Sequence, residues 1–149
     1  MPFASFLSLA RQRLVVVTVA AAAAAVAAPV AAAETPLERG RYLVTTILAC
    51  GNCHTPKDGE GRAVVGKELA GGGVAFDIPP YAGVASNITP DRETGIGAWS
   101  DAEIKRAIGQ GIGRDGRRME EPMPYAWYAG LRDDDLDAIV AYLRTLPPR

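Results

Sequence analysis

Cys50-Gly51-Asn52-Cys53-His54 carries the most specific spacing in this 149-residue chain. It reads C-x-x-C-H, the pattern of a c-type haem attachment site. Two thiols two residues apart can add across the two vinyl groups of one porphyrin. The residue that follows then brings an imidazole under the iron as the proximal ligand. Three rival readings fit less well. A thioredoxin-like C-x-x-C needs a preceding strand and a βαβ frame, whereas the residues before Cys50 look helical. A structural zinc site needs four ligands. Cys50 and Cys53 are the only cysteines and His54 the only histidine, so the tetrahedral set cannot be completed. A disulfide between the two cysteines is the remaining, blander alternative.

A single histidine also limits the other face of the iron, because it excludes a second imidazole from the same chain. Beyond Met1 the methionines are Met119 and Met123. Met123 lies in Glu121-Pro122-Met123-Pro124, where flanking prolines are expected to hold the backbone extended and stiff. That rigidity suits a weakly donating thioether, so Met123 is the favoured sixth ligand. Met119, which follows the basic stretch 114–118, is the alternative, as are a lysine or an open iron. Core gap-filling is the ordinary role of methionine against which both are weighed.

Working outward, Thr35 is a candidate N-cap, Pro36 suits the first helical position and Glu38 favours the positive helix end. Leu37, Gly40, Val44, Ile47 and Leu48 follow at helical spacing and predict a helix running straight into Cys50. Gly40 is costly inside a helix, which predicts a close crossing with another helix, Tyr142 lying over the notch. Residues 55–99 show no sustained period and are rich in glycine and proline, with short β-like pieces at Ala63-Val64-Val65 and Val74-Ala75-Phe76. So long an irregular stretch suits a chain packed on a prosthetic group. Ser100 and Glu103 form a capping box opening a helix with Ile104, Ala107 and Ile108 inward. The G-x-G-x-x-G match at Gly111, Gly113 and Gly116 follows a helix, so it reads as a backbone turn and not a nucleotide fingerprint. Leu136, Ile139, Val140 and Leu143 give the stripe of a last helix over 133–145, stopped by Pro147 and Pro148.

The N-terminus differs in composition. Arg11 and Arg13 precede an apolar run over 14–28, and Ala31-Ala32-Ala33 supplies a small-residue cleavage pattern. Residues 1–33 therefore read as a secretory signal peptide and 34–149 as one domain. An uncleaved anchor, with membrane attachment, is the alternative. Residues 34–149 carry a formal charge of −3, which gives no sign of nucleic-acid binding. A domain of this size buries a modest core, and a porphyrin would supply an apolar centre.

With these residues in view the chain resembles the class I c-type cytochromes from about residue 38 to 147, and in particular the haem domains accompanying bacterial alcohol and aldehyde dehydrogenases. The likeness rests on 50–56, Ser86-Asn87-Ile88-Thr89-Pro90-Asp91, Gly95-Ile96-Gly97-Ala98-Trp99-Ser100, Pro122-Met123-Pro124-Tyr125 and 136–144. It implies an all-α fold with three or more helices wrapped on one covalent haem c. Cys50 and Cys53 would bear the thioethers, and His54 and Met123 the axial bonds. Asn87 and Trp99 look like donors near the propionates, or else ordinary loop and core residues. Arg132 departs from the family's usual Ser or Thr cap, so Asp133 is expected to cap the last helix. One motif means one haem. The implied function is a periplasmic one-electron carrier, not an enzyme. It would serve a periplasmic dehydrogenase, with a terminal oxidase or another cytochrome as further partner. Lys105, Arg106, Arg114, Arg117 and Arg118, with Glu120 and Glu121 beside them, are a candidate docking rim, while the plainer reading of a solvated face is the favoured one. A peroxidase-like enzyme needs an open iron and acid–base help, and a gas sensor needs a labile Met123; these are the alternatives.

Overall fold

A computed structural model describes residues 33–149 except Val74, Pro80 and Glu120. The expected signal peptide lies outside the described residues. Helix α1 (Pro36–Tyr42) starts as the sequence indicates and is fixed more firmly than expected. Glu38 N–H donates to Thr35 Oγ1 at 3.2 Å and Thr35 N–H to Glu38 Oε2 at 2.8 Å, a reciprocal capping box.

The helix does not run straight to Cys50. It widens into a π-helical turn over Leu43–Ile47, and Leu48 N–H donates to the Leu43 carbonyl at 2.8 Å. Ala49 then takes a left-handed conformation at φ 48°. The wider turn shifts the inward stripe by a residue. Leu43 and Val44 are buried, while Leu37 and Ile47, expected inward, are 47% and 55% exposed. The bend at Ala49 starts a fresh turn, α2 (Gly51–His54), so the thiols and the imidazole are delivered by a separate element.

The irregular stretch that follows is organised by backbone bonds onto α2. Gly71 N–H donates to the His54 carbonyl at 2.7 Å and Leu69 N–H to Thr55 Oγ1 at 3.1 Å. Lys57 and Ala63 form an isolated bridge. Strands β1 (Ala75–Ile78) and β2 (Tyr81–Val84) make an antiparallel hairpin, Ala75 opposite Val84. The β-like pieces thus fall near the expected places, in an otherwise helical fold.

Helix α3 (Asp101–Gln110) opens on the expected box, with Glu103 N–H on Ser100 Oγ at 3.2 Å and Ser100 N–H on Glu103 Oε2 at 2.7 Å. It ends at Gly111, which is left-handed at φ 66°. The glycine motif turns the chain as expected, Gly113 N–H bonding the Arg117 carbonyl at 2.8 Å. A single turn, α4 (Tyr125–Tyr128), precedes α5 (Asp133–Thr145). Arg132, not Asp133, is the N-cap of α5 and makes no side-chain cap. Its guanidinium instead pairs with Asp134 at 3.2 Å and Asp135 at 3.3 Å.

Helices α1 and α5 cross at Gly40, as the sequence suggests. A Cβ there would overlap the Ala138 carbonyl oxygen and lie 2.9 Å from Tyr142 Cβ. Arg39 Nε donates to Asp135 Oδ1 across the same crossing at 2.7 Å. Val44, Ile104, Ile139 and Leu143 lie in the core the crossing closes, each aliphatic burial contributing about 1.5–3 kcal/mol. Arg144 holds the far end, donating to the carbonyls of Ile96 and Trp99 and to Asp101 Oδ1.

Two outcomes test this frame. Gly40→Ala would gain about 1 kcal/mol on helix propensity alone. Because the obstacle is backbone, we expect a net loss of about 1–3 kcal/mol, larger for Gly40→Leu, in denaturation of the haem-loaded protein. Hydrogen bonding to Arg39, then to Arg132, holds the Asp135 carboxyl below its ordinary value of 3.8. A lowered carboxyl contributes stability that is full above its unfolded value and lost as pH falls through the folded one. The destabilisation caused by Asp135→Asn should therefore be constant above about pH 5 and shrink in more acid solution. Melting temperatures taken as a pH series would show it.

Candidate functional site

The π-turn and the left-handed Ala49 place Cys50, Cys53 and His54 on one short turn at the floor of a cleft. The cleft has two adjoining lobes of about 270 and 530 Å³. Cys50, His54, Met119, Met123 and Tyr128 line both. Ile104, Ile108, Ile139 and Leu143 wall the smaller lobe from α3 and α5. Ala82 and Val84 on β2, with Pro122 and Pro124, border the larger one. The interior is mostly aliphatic, with the polar groups Asn87, Glu93 and Thr94 gathered at one side.

His54 is buried, and its Nδ1 lies 2.8 Å from the Ser86 carbonyl oxygen. A carbonyl only accepts, so Nδ1 carries the proton and Nε2 keeps its lone pair for a metal. Burial lowers the proton affinity of the imidazole, and the bond to Ser86 opposes that less strongly. The ring is thus held neutral and in one tautomer. No disulfide joins Cys50 and Cys53. Burial pushes the Cys50 thiol up to about 11, the opposite of the lowered value a thiol-redox site requires.

The residues suit a porphyrin. One turn presents two thiols and an oriented imidazole, the walls are aliphatic, and the other soft donors in the lining are the thioethers of Met119 and Met123. Both methionines are half-buried. The backbone at Met123 turns, instead of extending as its prolines suggest: residues 121 and 122 form a turn, and Tyr125 N–H donates to the Met123 carbonyl at 2.8 Å.

Asn87 and Trp99 both border the cleft. The Asn87 amide is committed to protein. Its Nδ2 donates to Thr94 Oγ1 at 2.8 Å and to the Arg149 carbonyl at 2.7 Å, and its Oδ1 accepts from Thr89 N–H and hydroxyl. Both amide hydrogens are used, so Asn87 ties the loop instead of offering a donor. Trp99 packs on the core.

The basic rim is largely paired. Lys105 meets Asp137 at 2.6 Å, Arg114 meets Glu103 at 3.8 Å and Arg117 meets Asp115 at 2.5 Å. Arg106 donates to the Gly113 carbonyl and Arg118 lies over the Tyr125 ring. Glu121 is exposed, and Glu120 lies outside the described residues.

Sequence reasoning missed two contributors. The Ser86 carbonyl is a main-chain group with no residue signature. The Tyr128 hydroxyl donates to the Leu48 carbonyl at 3.3 Å and so joins α4 to the turn before Cys50; its spacing from Tyr125 was the available hint.

Comparison with known proteins agrees with this geometry. A family model described as cytochrome c matches residues 37–147. The chain is 33% identical over 74% of its length to the gluconate 2-dehydrogenase cytochrome c subunit of Pantoea cypripedii, covering 23% of that protein. It is 35% identical over 74% to the cytochrome c subunit of a quinone-dependent alcohol dehydrogenase of Gluconobacter oxydans, covering 21%. It is 35% identical over 78% to the fructose dehydrogenase cytochrome subunit of Gluconobacter japonicus, covering 22%. The chain thus spans less than a quarter of the length of these relatives. With the family model covering the helices, the C-x-x-C-H turn and the cleft alike, this chain belongs to the cytochrome c family and binds haem c.

Proposed function

We propose that this chain is a mono-haem electron carrier of the periplasm that takes electrons from a dehydrogenase and passes them to a downstream respiratory acceptor. The observation that carries the reading is the His54 imidazole, fixed in one tautomer by Ser86, beside the thiols of Cys50 and Cys53 at the floor of a cleft whose other soft donors are the thioethers of Met119 and Met123. When bound, haem c supplies an iron that exchanges one electron between ferric and ferrous states. The chain supplies everything around it. Cys50 and Cys53 would tether the porphyrin, and His54 Nε2 and the Met123 thioether would hold its iron. The Met123 thioether would favour the ferrous state and would leave no open position for oxygen or peroxide chemistry. The aliphatic walls from α3 and α5 exclude water, which raises the potential in the same direction.

A dehydrogenase as donor is supported by relatives named as cytochrome subunits of gluconate, alcohol and fructose dehydrogenases. Export is supported by the basic flank, apolar run and Ala31-Ala32-Ala33 of the first 33 residues. Among the described residues no helix is long and apolar enough to cross a membrane.

Met123→Ala should abolish the weak methionine–ferric iron absorbance band, lower the potential substantially and admit cyanide, with both thioether links intact. Met119→Ala should do little to any of these. Collapse in Met119→Ala alone would move the ligand to Met119, and collapse in neither would remove methionine from the iron. Protein recovered from periplasm should begin at Glu34 by N-terminal sequencing and need no detergent. An intact N-terminus in the membrane fraction would make this an anchored carrier.

A further inference from the structure

The turn formed by the glycine motif has a second role at the site. Gly111 ends α3 with its N–H on the Ala107 carbonyl at 3.1 Å, and its own carbonyl accepts the Met119 N–H at 2.7 Å. The Tyr125 ring lies flat against its α carbon. A Cβ at position 111 would sit 2.5–2.7 Å from Tyr125 Cγ, Cδ1 and Cδ2. Arg118 covers the ring, its guanidinium carbon 5.5 Å from the ring centroid and Nη1 3.4 Å from the hydroxyl, within cation–π range. Tyr125 lies outside the lining of either lobe. Its backbone N–H nevertheless closes directly on the Met123 carbonyl at 2.8 Å.

We infer that Tyr125 is a positioning residue for the Met123 thioether, seated on Gly111 and covered by Arg118. The inference rests on the Met123 reading above. Only Pro124, which limits backbone freedom, and one short hydrogen bond separate the clamped ring's residue from Met123. A ring that loses its seat moves the Met123 carbonyl with it. The hydroxyl contributes little, because its contact with Arg118 is long; the flat ring face is what Gly111 admits. Gly111 is therefore required twice, for its left-handed φ of 66° and for the missing side chain.

An added ligand such as cyanide binds ferric iron only in the fraction of molecules whose thioether has let go, so its apparent affinity reports that fraction. In the haem-loaded full chain, Tyr125→Leu should raise cyanide affinity about tenfold or more and weaken the methionine–ferric band, and Gly111→Ala should do the same. Tyr125→Phe should stay within about twofold of the parent, because it keeps the ring. Unchanged cyanide affinity in Tyr125→Leu, in a background where Met123→Ala raises it, would overturn the positioning role alone. If Met123→Ala itself leaves band and affinity unchanged, the ligand reading fails and this inference with it. Should Tyr125→Leu not accumulate with haem, Gly111→Ala against Tyr125→Phe decides. Equal cyanide affinity in that pair would overturn the inference.

Discussion

The hydrogen bond between His54 and the Ser86 carbonyl is the constraint on which the site depends. A free imidazole exchanges its proton between two nitrogens and rotates; this one does neither. Ser86 can hold that position because the chain on either side of it is tied down. Gly72 N–H bonds the Ala85 carbonyl at 2.8 Å and Ile88 N–H bonds the Leu69 carbonyl at 3.0 Å. Asn87, between them, spends its whole amide on Thr89, Thr94 and Arg149. The long irregular stretch is thus a scaffold for one carbonyl oxygen. Apart from the short β1–β2 ladder, its backbone groups pair within the loop, as between Gly72 and Ala85, or reach back to the turn over 50–54, as Gly71 N–H does to the His54 carbonyl.

The helical frame does a different job. The crossing of α1 and α5 at Gly40 brings their backbones close enough for Arg39 to reach Asp135, and Arg144 then gathers the loop carbonyls at Ile96 and Trp99. These contacts fix the walls against which Ile139 and Leu143 face the cleft. The floor is set separately by the π-turn and Ala49. A left-handed alanine is disfavoured by about 1 kcal/mol or more. That strain is sustained because Cys50 N–H finds the Val44 carbonyl at 3.0 Å only when the chain turns there.

Much of this was legible in the sequence, for a physical reason in each case. The Thr35 cap, the capping box of Ser100 and Glu103, the α5 stripe and the Gly40 notch are local or periodic signals, and each is found where its chemistry places it. The C-x-x-C-H spacing is equally local. What could not be read depended on contacts between distant residues or on backbone groups. Nothing in Leu43-Val44-Thr45-Thr46-Ile47 announces a π-turn, so Ile47 was expected inward and lies out. Arg132 was expected to yield the cap to Asp133; its pairing with Asp134 and Asp135 is an alternative that cap preferences do not include. Ser86 acts through its carbonyl, which every residue has.

The charges around the glycine turn show why surface composition is weaker evidence than motif spacing. Five basic residues within 105–118 suggest an attractive rim for an acidic partner. Three of them, Lys105, Arg114 and Arg117, already face carboxylates of this chain at 3.8 Å or less. Exposed pairs of this kind contribute about 0–1 kcal/mol to stability, but they cancel the field that would otherwise reach a partner. Beyond a Debye length of about 8 Å at physiological salt little of a paired charge survives. Arg118 is turned to a different use, over the Tyr125 ring. The basic stretch therefore acts mainly inward, closing the turn through Asp115 and Arg117 and covering Tyr125, and the same residues that looked like a docking rim help hold the segment that carries Met123.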